Sequence, residues 1–85
     1  MRLFVIKGLY YGKTGQEQNP TYYGNLEGCM NYVDINFSHW TYKGETIEIY
    51  TSNIKVATKS FVKKVDEAGE YYEATDWKVN RRIVC

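Results

Sequence analysis

Histidine occurs once in this sequence, at His39, cysteine twice, and proline once. That scarcity excludes several chemistries before any fold is considered. Zinc sites draw on paired C-x2-C or H-x3-H spacings. Cys29, His39 and Cys85 offer neither, so no metal and no cofactor is expected. Nucleophilic catalysis needs a nucleophile, a base and an orienting group. His39 is the only imidazole, and in an extended segment Ser38 and His39 point to opposite faces. The protein is therefore expected not to be an enzyme. Two cysteines do not make a disulfide framework. Free thiols are expected, with a Cys29–Cys85 bridge as the alternative.

Long apolar runs are also missing. Nothing approaches the ~18 residues of a spanning helix. The apolar start, Leu3 to Ile6, is far shorter than a signal-peptide core. The expectation is a cytoplasmic protein with no membrane contact. A strong charge of one sign is absent too. The net charge is +1, so the total shows neither the basic excess of a typical nucleic-acid binder nor the acidic excess of a nucleic-acid mimic.

What is present is aromatic. Eighty-five residues make one domain, 1–85, and 16% of them are Phe, Trp or Tyr. A domain this small buries only about 60–65% of its unfolded surface. Large rings, at about 150–250 Å² each, help to build its core.

Leu3 to Tyr10 is β-branched and aromatic and reads as a first strand. Gly8, Gly12 and Gly15 then mark a polar loop that runs to Pro20. Leu26 to Trp40 is ambiguous. Leu26, Cys29, Met30, Val33, Phe37 and Trp40 fit a helical stripe, while Val33, Ile35 and Phe37 fit strand alternation. Gly28 and the β-branched residues favour a strand for the later half. That strand would turn at Tyr42-Lys43-Gly44-Glu45 and set Trp40 opposite Ile47 in a return strand over 46–50. Ile54, Ala57, Phe61, Val65 and Ala68 recur at helical spacing, with Asn53 as N-cap and Gly69 as C′ residue. The spacing predicts a helix over about 54–68, and a hairpin turning at Gly69 is the competing reading. Tyr71 to Val84 reads as one or two strands. The expected fold is α+β: a small antiparallel sheet with the 54–68 helix packed on one face. An all-β fold is the alternative.

Gly8-Leu-Tyr-Tyr-Gly12-Lys13-Thr14 resembles a P-loop but is one residue short of G-x-x-x-x-G-K-[ST], and no apolar helix period follows it. A polar loop is the better reading. The acid pairs Glu45/Glu48 and Glu70/Glu73 fall on opposite faces of a strand, which suits solvation better than acid–base chemistry.

Two signals point to binding. Lys55, Lys59 and Lys63 recur at intervals of four and would line one helix face, joined by Arg81 and Arg82 downstream. The near-neutral total hides blocks. Residues 53–64 carry four positive charges and no negative ones, and residues 66–76 carry five negatives and no positives. The second signal is nine tyrosines, among them the adjacent pairs Tyr10/Tyr11, Tyr22/Tyr23 and Tyr71/Tyr72. A strand would turn one ring of each pair inward and one outward. Outward Tyr gives contact area at low entropy cost.

The leading expectation is a small non-enzymatic binding protein with a protein partner. A phage- or mobile-element inhibitor of the anti-CRISPR type, occluding a host protein such as a defence nuclease, is one form of it. One alternative is a nucleic-acid-binding domain with Lys55, Lys59, Lys63, Arg81 and Arg82 on phosphates and Tyr rings on bases. Another is a nucleotide or small-molecule binder built around the Gly8–Gly15 loop and His39. The chain is expected as a monomer or a homodimer.

Overall fold

A computed structural model describes residues 2–11, 16–37, 46–80 and 82. It shows an antiparallel five-stranded sheet and a single helix, an α+β arrangement dominated by strand. The strands are β1 (Arg2–Lys7), β2 (Leu9–Tyr11), β3 (Gln16–Gln18), β4 (Thr21–Gly24), β5 (Thr46–Thr51), β6 (Ile54–Asp66) and β7 (Gly69–Val79). The helix is α1 (Leu26–Asn36). The main sheet runs β4-β1-β5-β6-β7, and β2 and β3 form a separate hairpin.

The helix therefore lies at 26–36 and not at 54–68. Residues 54–66 form the longest strand, and the competing hairpin at Gly69 is the one that forms. The later half of the ambiguous stretch is helical through Asn36, where a strand was expected. Asn25 is the reason the helix starts where it does. Its side chain accepts from the Gly28 N–H at 2.7 Å, satisfying one of the free donors of the first turn. Gly28 is placed for space, because a Cβ there would meet the Tyr22 hydroxyl at 2.5 Å. The stripe Leu26, Cys29 and Val33 is buried against the sheet.

Strand β5 forms as the alternation predicts, with Ile47, Ile49 and Thr51 inward. Its neighbours differ from expectation. It lies between β1 and β6, and Ile47 pairs with Lys59. Trp40 and the 42–45 turn lie outside the described residues. The first strand ends at Lys7 and resumes as β2, and the polar stretch before Pro20 contains β3. Phe4, Ile6, Leu9, Ile47, Ile49, Val56, Ala57 and Phe61 join the helical stripe in one core. Thr51, buried and polar, donates from its hydroxyl to the Leu3 carbonyl at 3.0 Å.

Two bulges shape β6 and β7. Opposite β5 the register slips at Val56, so Val56 and Ala57 are both buried in succession. Opposite β7 it slips at Ser60, which faces Thr75 and Asp76 together. The Thr75 hydroxyl donates to the Ser60 carbonyl at 2.9 Å.

Candidate interaction surface

Beyond Phe61 the sheet narrows to two strands. Residues 62–66 of β6 and 69–74 of β7 pair with each other and are exposed on both faces. Thirteen residues at about 3.3 Å each make β6 roughly 40 Å long, which accounts for the 44 Å long axis. The result is an arm. Asp66 closes its tip by accepting from the Ala68 and Gly69 N–H groups at 2.8 and 3.1 Å. Gly69 adopts φ +124°, a conformation that side chains other than hydrogen rarely take.

The register assigns the faces. On the helix side are Phe61, Lys63 and Val65, opposite Ala74, Tyr72 and Glu70. On the other side are Val62 and Lys64, opposite Glu73 and Tyr71. Each face thus carries one Val, one Tyr and one ion pair. Lys63 meets Glu70 at 3.2 Å, and Lys64 meets Glu73 at 4.0 Å. The basic and acidic blocks of the sequence are the two strands of this ribbon. Val65 is 73% exposed, Val62 45%, Tyr71 46% and Tyr72 40%.

At the base of the arm a polar clamp fixes it to α1. Asp34 accepts from Lys59 Nζ at 2.6 Å and from Trp77 Nε1 at 3.1 and 3.2 Å. The Lys59 ammonium also lies 5.4 Å from the Trp77 ring centroid, in cation–π range. Only 12% of the Lys59 side chain is exposed.

The lysines do not form one stripe. The Val56 bulge turns Lys55 to the uncovered sheet face, where it meets Glu48 at 3.3 Å, while Lys59 and Lys63 face the helix side. Of the tyrosines, Tyr22 is half-buried and packs on Tyr32 at 5.4 Å between centroids, and Tyr23 is exposed. That pair divides inside and outside as expected. Tyr71 and Tyr72 also face opposite sides, but both are exposed, because the arm has no core. Tyr10 and Tyr11 pair in backbone with Glu17 and Gln16. Their side chains lie outside the described residues, as do Arg81, His39, Cys85 and the Gly12–Gly15 loop. Arg82 is exposed, and its N–H donates to the Asn80 side chain. The structure thus brings Tyr71, Tyr72 and Lys63 together on the arm and separates Lys55, Tyr22 and Tyr23 from them. Sequence reasoning missed Val62, Val65 and Asp34. Hydrophobicity at both parities of one strand, 62 and 65, was the signal for a ribbon exposed on both faces.

The uncovered sheet face has an open depression of about 630 Å³, lined by Arg2, Leu3, Val5, Lys7, Tyr50 and the 51–54 turn. Lys7 lies over the Tyr50 ring at 4.7 Å. Cys29 is a free, buried thiol, and desolvation pushes its pKa up to about 11, away from nucleophilic use. Among the described residues no cluster of His, Cys, Asp and Glu could hold a metal, and no helix is long and apolar enough to cross a membrane. The strand β3 follows the P-loop lookalike where a phosphate-binding loop would lead into a helix. Comparison with protein-family models, curated proteins and solved structures finds no match to this chain.

Proposed function

We propose that this protein is a non-enzymatic binding module that engages a protein partner through the β6–β7 arm. One observation carries the reading. Val62, Val65, Tyr71 and Tyr72 are exposed on a ribbon that no other layer covers among the described residues. Apolar surface kept from water is favourable by about 25 cal/mol per Å², so these side chains gain only when something else buries them. The arm is also ordered in advance. Its Asx turn, cross-strand ion pairs and clamp to α1 reduce the ordering cost of binding. Aromatic rings flanked by charge suit a protein interface, where Tyr is enriched.

The nucleic-acid reading draws less support. Lys55, Lys59, Lys63 and Lys64 each lie within 4.0 Å of a carboxylate of the same chain. A phosphate would have to compete with these carboxylates for the lysines, and Lys59 is mostly buried against Asp34. Occlusion of a groove on a host enzyme, such as a defence nuclease, is the form of inhibition a protruding arm suits.

The test is capture from a host lysate with and without nuclease, using the wild type and a Val62→Ser/Val65→Ser/Tyr71→Ser variant. A captured protein that resists nuclease and is lost with the variant is the expected result. It should then be inhibited in proportion to added protein, one arm per site. Capture that vanishes with nuclease, or that the variant retains in full, overturns the proposal.

A further inference from the structure

β7 is the outermost strand on its side of the sheet, and among the described residues no strand pairs with its far side. Such an edge offers a row of backbone donors and acceptors to another chain. We infer that its occupant is β7 of a second copy, paired antiparallel about a twofold axis at Tyr72.

Charge and the bulge select this register. With the axis perpendicular to the sheet, the pairing is centred on one residue, which faces itself. Centring on Glu70 or Glu73 sets a carboxylate directly against its own copy, which is destabilising. Centring on Ala74 drives the pairing through Asp76 of the Thr75–Asp76 bulge, where the ladder is already broken. Centring on Tyr71 overlaps only residues 69–73, because Ala68 belongs to the turn. Centring on Tyr72 overlaps 69–75 and stops at the bulge. Glu70 then faces Ala74, Tyr71 faces Glu73, and Tyr72 faces Tyr72. No charge opposes its like in any rung.

The carboxylates along this edge are already answered within each copy, Glu70 by Lys63 and Glu73 by Lys64. Within the 69–75 overlap the edge therefore presents no unpaired carboxylate to a second copy. Pairing would merge two arms into one four-stranded ribbon with the tip of each beside the base of the other. It uses the edge of β7 and leaves both faces of the arm open, so it stands independently of the partner proposed above.

Sedimentation velocity and light scattering on the full chain, across a dilution series from high to low micromolar, test it. The expected mass is twice 10.0 kDa at the concentrated end, falling to 10.0 kDa on dilution. Tyr72→Glu places two carboxylates face to face across the axis, while within each copy residue 72 lies opposite Lys63, so the variant should keep the chain monomeric throughout with an unchanged melt. For the register, Tyr72→Cys in a Cys85→Ser background should cross-link to itself under mild oxidation, because directly opposed Cα atoms in an antiparallel pair lie about 4.5–5.5 Å apart. Glu70→Cys, which faces Ala74, should not. A chain that stays monomeric across the series overturns the inference. So does a dimer that persists in Tyr72→Glu, or a Glu70→Cys variant that cross-links as readily as Tyr72→Cys.

Discussion

Asp34 joins three parts of the molecule, and its removal has a calculable cost. It lies on α1, while Lys59 is on β6 and Trp77 on β7, 25 and 43 residues away. Asp34→Ala removes the acceptor of the 2.6 Å Lys59 contact and both acceptors of the Trp77 indole. Breaking a fully buried ion pair from one side costs about 3–5 kcal/mol, and an exposed pair about 0–1 kcal/mol. This pair is intermediate, with 12% of the Lys59 side chain but 39% of the Asp34 side chain open to water. Screening at the carboxylate lowers the figure, and the lost indole hydrogen bond raises it by about 1 kcal/mol. The expected destabilisation is about 2 kcal/mol. In a domain of this size that lowers Tm by roughly 8–16 °C.

Lys59→Met should cost less, about 1 kcal/mol or below, because it leaves no buried ammonium behind and keeps the apolar stem. The double variant should be more stable than the sum of the singles by about 1 kcal/mol, since the two side chains act as a pair. Urea and thermal melts followed by far-UV circular dichroism measure all three. An Asp34→Ala variant within about 0.5 kcal/mol of wild type would refute the reasoning. Strict additivity in the double variant would do the same.

Three further perturbations test other parts of the fold. The pKa of Cys29 is raised to about 11 by burial, so the folded state holds the thiol neutral. The stability it contributes is complete below about pH 8.5–9 and declines as pH rises toward 11, by up to about 3 kcal/mol. Urea melts between pH 8 and 11 should show that decline, and Cys29→Ala should flatten it. Gly8 has φ +91°, and a Cβ there would collide with the Thr46 carbonyl, so Gly8→Ala should cost about 3 kcal/mol by chemical denaturation. The β5–β6 turn holds Ser52 and Asn53 at φ 51° and 64°. Replacing the pair by Asn-Gly, which suits two left-handed positions, should raise stability by about 1 kcal/mol and Tm with it.

Strand β5 was legible because Thr46 to Thr51 alternates cleanly and is half-buried, the case in which period two is unambiguous. Helix α1 was legible as a stripe and was then discounted. Gly28 and Ile35 argued against it, yet Gly28 lies in the first turn under Tyr22, where it serves close packing, and Ile35 is exposed at the far side. The missed signal was Asn25 followed by Glu27, a capping residue and a first-turn acid. Strand β6 was misread for a deeper reason. A spacing of four keeps residues on one face of a helix and on one face of a strand alike. Phe61, Val65, Lys59 and Lys63 therefore could not discriminate. The β-branched Val56, Thr58 and Val62, which lie off the helical stripe, could have done so.

The bulges were out of reach, because a bulge is a property of two strands and neither sequence segment contains it alone. Their consequence is a redistribution of charge between the two faces of the sheet. Without the Val56 slip, Lys55, Lys59 and Lys63 would share one face as a basic stripe. With it, Lys55 turns to Glu48 on the uncovered side, and Lys59 is drawn to Asp34. The charge blocks had the same latent meaning. Residues 53–64 and 66–76 carry opposite signs because they lie side by side, and the turn at 66–69 brings Lys63 to Glu70 and Lys64 to Glu73. A pattern that resembles an electrostatic footprint in one dimension is internal pairing in three. The apolar side chains that the arm leaves exposed are Val62, Val65 and the two tyrosine rings. The surface proposed for a partner is thus found by subtraction, as the apolar side chains of the arm that the described residues leave exposed.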